Sequence, residues 1–306
     1  MTDATYVTVN GKVIPSAEAQ IGIASPAAKY GIGVFEGLRG YWNADDEQLY
    51  VFRLREHLAR LKQSMKLLRL DDEYTIEQLE ACVLDMIRAN DFKTTIQMRI
   101  TALLDDSDSS RTDNGPIGGY VEGSPCPPHP FMRSGLTAGT SSWTRTADNA
   151  LPVRIKCNAN YVNARLAELE ARAGCFDRAI FLNNRGKVSE GPGATLFLIR
   201  NGQPATPSPS NDLLESITRD TLMHLLRETQ NMDTRERDVD RTEIYAADEA
   251  FLCGTLAEVT PIISLDGISV GDGTMGPITR ALQKSYLDTV TGASADHADW
   301  RTPVYV

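Results

Sequence analysis

One lysine stands out by its neighbours. Lys156, in the stretch VRIKCNANYVNARL, ends a short run containing apolar residues and precedes a helix-like pattern. A lysine at a helix start is usually just solvated. A cation there also meets the positive end of the helix dipole. That setting favours the neutral amine, the form that attacks a carbonyl. The chemistry indicated is that of an aldehyde-bearing cofactor such as pyridoxal phosphate (PLP). PLP makes three more demands: a partner for its pyridine nitrogen, donors for a dianionic phosphate, and a donor to its phenolic oxygen.

Candidates for each occur in the chain. VSEGPGATLF places Glu190 after a strand, followed by two glycines around a proline. An exposed turn with a solvated glutamate fits this pattern. So does a backbone bent around a flat ring, with Glu190 keeping the pyridine protonated and the ring a stronger electron sink. LLESITRD opens a helix, where the N–H groups of Ile217 and Thr218 and the Thr218 hydroxyl suit a phosphate, as they would suit an ordinary capped helix. Thr255, in CGTLAEVTP, is either a polar turn residue or a further donor. Arg60, in REHLARL, lies beside the apolar face of Leu58 and Leu61, and either snorkels to water or neutralises phosphate charge.

Strands and helices must hold these residues. YVTVNGKVI reads as a hairpin turning on Asn-Gly. GVFEGLRGYW and QLYVF read as strands, and Leu58, Leu61, Met65 and Leu68 recur at helical spacing. TIEQLEACVLDMIRAND carries a capping box at Thr75 and Gln78, with Ile76, Leu79, Val83 and Met86 on one face. TIQMRITALL reads as a strand. Between 105 and 135 the chain turns rich in Gly, Pro, Ser and Asp, with a short strand at Tyr120-Val121, and reads as a domain junction. Beyond it, a helix from about Asn160 to Ala173 stops at Gly174. RAIFLNNRGKVSE and TLFLIRNGQPATP read as strand-turn-strand units. A helix capped by Ser216 follows, then strands at EAFLCG and IISLDGISV, and a late helix with Pro277 in its first turn.

Composition narrows the classes. The 306 residues are 42% hydrophobic and 24% charged, with a formal net charge of -10. That charge argues against nucleic acid or an anionic membrane as partner. Five scattered cysteines lack metal or disulfide spacing, and the four histidines form no helical metal pair, so no metal is expected. The first residues have no leader-like pattern, and no apolar run approaches the roughly 20 residues of a membrane span. The expected location is cytoplasmic.

The series YGIGVFEGLRGYW, REHLARL, SSWTRT, the segment around Lys156 and Tyr161, SEGPGATLF, SITRD, CGTLAEVTP and GPITR resembles the class IV aminotransferases, the fold-type IV PLP enzymes, over nearly the whole chain. This family includes branched-chain amino acid aminotransferases, D-amino acid aminotransferases, (R)-amine transaminases and aminodeoxychorismate lyase. The resemblance implies an α+β fold of the D-amino acid aminotransferase type. It comprises a smaller α/β N-terminal domain over 1–120, an interdomain loop over 121–135, and a larger PLP-binding domain over 136–306, with PLP in the cleft. It also implies a homodimer. By the same resemblance, Lys156 holds PLP and shuttles the substrate proton, Tyr161 serves the phenolic oxygen, and Glu190 serves the ring nitrogen. Arg60, Ile217, Thr218 and Thr255 form the phosphate cup, and Leu214 packs on the ring. Ser216 stands where the family usually has glycine.

Tyr30, Phe35 and Gly37 resemble the apolar side-chain pocket of the branched-chain enzymes, and Trp143 and Arg145 their loop facing the site. Arg99 matches the arginine those enzymes use for the distal carboxylate of glutamate and 2-oxoglutarate. Leu256 and Ala257 complete the expected substrate contacts. Two features differ. Gln97 replaces a tyrosine that helps organise the α-carboxylate site, and Ala194-Thr195 replaces Glu-Asn after a Gly-Pro-Gly turn similar to that of some (R)-amine transaminases. The expectation is an aminotransferase moving the amino group of a hydrophobic, branched-chain-like L-amino acid to 2-oxoglutarate by a ping-pong mechanism. The alternatives are a transaminase for (R)-amines or D-amino acids and an aminodeoxychorismate-type lyase. The partners are thus a small amino donor and a keto-acid acceptor.

Overall fold

The computed structural model describes residues 5–71 and 73–305. The chain forms two compact units. One comprises the residues up to Pro127, Ile155–Ala159 and those from Asp288 onward; the other comprises Pro128–Arg154 and Asn160–Leu287.

The first unit is built on a seven-stranded antiparallel sheet. Its strands are β1 (Tyr6–Val9), β2 (Lys12–Pro15), β3 (Gly33–Asn43), β4 (Gln48–Phe52), β5 (Ile96–Leu104) and β6 (Ile117–Pro125), joined by Arg301–Pro303 near the chain end. From one edge the order is Arg301–Pro303, β4, β3, β5, β6, β1, β2. Three helices accompany it: α1 (Pro26–Tyr30), α2 (Leu54–Leu68) and α3 (Ile76–Ala89). The β1–β2 hairpin turns on Asn10 and Gly11, both at positive φ, as an Asn-Gly turn requires. The capping box at Thr75 and Gln78 starts α3. Helices α2 and α3 bury Leu54, Leu58, Leu61, Met65, Leu79, Val83, Met86 and Ile87. Against them the sheet sets alternate residues such as Leu38, Met98, Ile100 and Val121, in register across β3, β5 and β6.

The expected linker over 121–135 is corrected, because its first five residues complete β6, a nine-residue strand. Its glycines permit close packing rather than breaking the strand. A Cβ on Gly123 would lie 2.9 Å from Met86 Cε and 3.1 Å from Met98 Cγ. Nor do residues 136–306 form one body. Ile155–Ala159 belongs to the first unit because it pairs with β3: Phe35 N donates to Lys156 O, Asn158 N donates to Gly33 O, and Cys157 bridges Val34. The strand Arg301–Pro303 likewise pairs with β4.

The second unit holds β7 (Leu136–Thr140), β8 (Arg178–Ile180), β9 (Thr195–Arg200), β10 (Gln203–Pro207), β11 (Arg235–Arg237), β12 (Glu249–Gly254), β13 (Glu258–Leu265) and β14 (Ile268–Ser269). The sheet order is β11, β10, β9, β12, β13, β7, β8, with β14 beside β13. Its helices are α4 (Phe131–Ser134), α5 (Asn160–Ala173), α6 (Ile217–Gln230), α7 (Arg241–Tyr245) and α8, which starts at Pro277. Leu136, Ile180, Leu196, Leu198, Leu252 and Ile262 lie in its main core, and Phe197 stacks on Phe251 at 5.0 Å. The end of α5 differs from the expectation. Cys175, not Gly174, takes the left-handed position at φ 62, and a Cβ on Gly174 would lie 3.1 Å from the Phe176 ring. Among the described residues, no helix is long and apolar enough to cross a membrane.

Candidate active site

The sequence-predicted residues fall into two sets, one in each unit. In the first unit, Lys156 lies in the segment tied to β3, and its backbone N–H donates to Ser64 Oγ at 3.2 Å. His57, Arg60 and Ser64 recur at helical spacing and share one face of α2. That face meets Glu36 of β3, which is fully buried. Arg60 grips the carboxylate with two parallel bonds, Nε to Oε1 and Nη2 to Oε2, each 2.7 Å. His57 Nδ1 lies 2.7 Å from Oε2 and must carry the proton, since an ionised carboxylate only accepts. Burial pushes the Glu36 carboxyl upward, but the charge of Arg60 and the bonds from Arg60 and His57 outweigh it and lower it to about 2. Burial is also the main reason that the His57 imidazole is held below its ordinary value; Arg60 and Lys156 add to this and Glu36 opposes it.

Alternation along β3 sends Phe35, Gly37 and Arg39 to the opposite face from Glu36. Register aligns Thr101, Arg99 and Gln97 of β5 with these three. Among the described residues, nothing stands within 4 Å of where a Cβ on Gly37 would be, so this face is open above it. The Arg99 guanidinium lies 3.5 Å from the centroid of the Phe35 ring, and Lys156 Nζ lies 5.0 Å from the same centroid. Gln97 donates to Ser124 Oγ at 3.2 Å. Tyr30 ends α1 and stands exposed.

In the second unit, Glu190 is buried beside a tight turn in which Gly191 and Ala194 bridge and Gly193 adopts φ 73. Its Oε1 accepts from Arg145 Nε at 2.9 Å and its Oε2 from Leu214 N at 3.3 Å. Arg145, on the loop after β7, is buried and bonded to Glu190 and to Asn163 Oδ1. Trp143, two residues earlier, is exposed, as are Tyr161 in the first turn of α5 and Leu256 in the β12–β13 turn. Ala257 packs against the sheet core.

Helix α6 is set by Ser216, whose hydroxyl caps Arg219 N at 3.2 Å. The buried Arg219 ties the first turn to Pro207 O at 3.2 Å and to Glu236 at 2.6 Å. Ile217 and Thr218 thus occupy the first turn, at the positive end of the helix dipole. Gly254 brings the end of β12 close to the glycine turn, for a Cβ there would lie 3.0 Å from Gly193 O. Thr255 follows it. This donor set suits a dianionic phosphate, and a buried carboxylate paired with Arg145 suits a protonated ring nitrogen.

Sequence reasoning missed Glu36, His57 and Asn158, whose Oδ1 accepts from Arg99 Nη2 at 2.8 Å. A signal existed for Glu36: it is a charge on the strand face that alternation turns toward the apolar side of α2.

Comparisons with known proteins agree with this chemistry. A family model described as amino-transferase class IV matches residues 33–265. A protein of Aquifex aeolicus named probable branched-chain-amino-acid aminotransferase is 37% identical over 310 residues, covering 98% of this chain and 97% of its own. The branched-chain amino acid aminotransferase of Thermobaculum terrenum, solved in its PLP form, is 40% identical with a TM-score of 0.93, covering 99% of each chain. The branched-chain amino acid aminotransferase of T.th., solved with N-(5'-phosphopyridoxyl)-L-glutamate, is 33% identical with a TM-score of 0.94, again over 99% of each chain. The chain therefore belongs to the class IV aminotransferases and is a PLP-dependent enzyme of that family.

Proposed function

We propose that the enzyme moves the amino group of a branched-chain L-amino acid to 2-oxoglutarate, in two half-reactions with ping-pong kinetics. Bound PLP supplies the carbonyl that receives the amino group and the electron sink that acidifies the substrate Cα–H. Lys156 would hold PLP through its Nζ and, once displaced by the incoming amine, move the proton that leaves Cα. Glu190, kept ionised by Arg145, would hold the ring nitrogen. Tyr161 would donate to the phenolic oxygen and Leu214 would pack on the ring. Arg60 and the first turn of α6, with Thr255, would hold the phosphate.

One observation carries the substrate assignment. The Phe35 ring lies against both the Arg99 guanidinium and Lys156 Nζ, with open space above Gly37 beside it. An apolar surface and a fixed cation thus flank the reactive amine. The first fits an aliphatic side chain, and the second fits the distal carboxylate of an acidic partner. The names of the relatives, one of them solved with a glutamate conjugate, support the same pair.

The test mixes PLP-loaded enzyme with L-leucine, D-alanine or (R)-1-phenylethylamine and follows the cofactor absorbance band. L-Leucine is expected to bleach the band and 2-oxoglutarate to restore it, with the other two amines inert. Bleaching by D-alanine or the (R)-amine while L-leucine does nothing would overturn the assignment. The reading also carries a homodimer, which light scattering would register as twice the chain mass.

A further inference from the structure

We propose that Asn158 is a positioning residue that sets selectivity for the acidic partner by holding the Arg99 guanidinium as a pre-oriented carboxylate receptor. This rests on the assignment of Arg99 to the distal carboxylate.

The geometry around Asn158 is fixed from several sides. Its backbone N–H donates to Gly33 O at 3.1 Å, and its neighbour Cys157 bridges Val34, so the residue is locked to the start of β3. Its amide nitrogen packs over Gly33, where a Cβ would stand 3.3 Å from Nδ2. With the nitrogen end seated there, Oδ1 turns to Arg99 and accepts from Nη2 at 2.8 Å. Arg99 Nε reaches Thr101 Oγ1 at 3.3 Å, and the plane of the guanidinium is covered by the Phe35 ring.

Gly37 is directly opposite Arg99 across the β3–β5 ladder. Arg99 reaches along this face to Phe35 and Asn158. The acceptor at 158 is a neutral amide carbonyl. The bond therefore orients the guanidinium without cancelling its charge, whereas a carboxylate of nearly the same shape would cancel it. Asn158 is also only two residues from Lys156, on the same β3-tied segment. The receptor for the far carboxylate and the reactive amine thus share one rigid support, and pre-organisation of this kind lowers the ordering cost of binding. An apolar keto acid makes no use of the cation and should be indifferent to residue 158.

The experiment compares the PLP-loaded enzyme with Asn158→Asp, Asn158→Ala and Arg99→Leu, using 2-oxoglutarate and 4-methyl-2-oxopentanoate as alternative acceptors. For Asn158→Asp, the KM for 2-oxoglutarate should rise at least ~10-fold, the scale of one charge-assisted bond, while the KM for the apolar acid moves less than about 2-fold. Asn158→Ala should give the same split with a smaller rise. An unchanged cofactor absorbance band would show that the Lys156 segment remains in place. Equal shifts for both acceptors, or none for either Asn158 variant, would overturn the proposal. If Arg99→Leu raises the 2-oxoglutarate KM while the Asn158 variants do not, only the role of Asn158 falls. If Arg99→Leu leaves that KM unchanged, the assignment of Arg99 falls and the role of Asn158 with it.

Discussion

Replacing Glu36 by glutamine tests whether the buried carboxylate holds His57 and Arg60 of α2 in place. The change keeps the shape but removes the charge that Arg60 grips and turns an amide N–H₂ toward a donor. The carboxyl is held at about 2 against an ordinary 4.5. That gap corresponds to about 3 kcal/mol favouring the ionised over the neutral form in the folded protein at neutral pH. It agrees with the about 3–5 kcal/mol lost when one partner of a buried ion pair is removed. The sign follows from the lowered value. The contribution of Glu36 is complete above 4.5 and is lost as pH falls through about 2. The difference between wild type and Glu36→Gln should therefore be about 3 kcal/mol at pH 7, roughly 1.4 kcal/mol at pH 3, and small by pH 2. Urea denaturation across this range, followed by tryptophan fluorescence, suits the measurement, because Trp42 and Trp300 lie in the first unit and only Trp143 in the second. His57, also lowered, adds acid sensitivity of the same sign as pH falls below its ordinary 6.5. A variant as stable as wild type at neutral pH, or a difference that persists undiminished in acid, would refute the reasoning.

Other perturbations separate packing from chemistry. Arg145→Met should cost about 3–5 kcal/mol by leaving Glu190 buried without its cation, and should weaken PLP binding measured by absorbance titration; adding Glu190→Gln should restore part of the stability but not the cofactor affinity. Gly37→Ala meets open space, so denaturation should move by less than about 0.5 kcal/mol, while the KM for L-leucine should rise about tenfold through the lost volume. Gly193→Ala also meets open space but sits at φ 73, so it should cost about 1–2 kcal/mol in the same denaturation assay.

Much of this enzyme was legible from sequence because the signals are local. The Asn-Gly hairpin, the Thr75 capping box, the Ser216 cap and the apolar faces of α2 and α3 depend on neighbours a few residues apart, and each forms as expected. The motif order likewise pointed to a PLP aminotransferase, since the cofactor demands a reactive amine, a ring-nitrogen partner and a phosphate cup whatever holds them. Composition misled where glycine serves packing rather than turning, as in β6.

Only the tertiary structure decided which charges are partners. Glu36, His57 and Arg60 meet because strand alternation and helical periodicity bring one face of β3 onto one face of α2. Arg145 reaches Glu190 across 45 residues and Arg99 reaches Asn158 across 59. No sequence window encodes such pairs, for a buried charge is satisfied by whatever the fold places beside it. The sequence determined the elements and the chemistry available to them; the packing of those elements decided that Arg145 serves Glu190 and that Asn158 stands against Arg99.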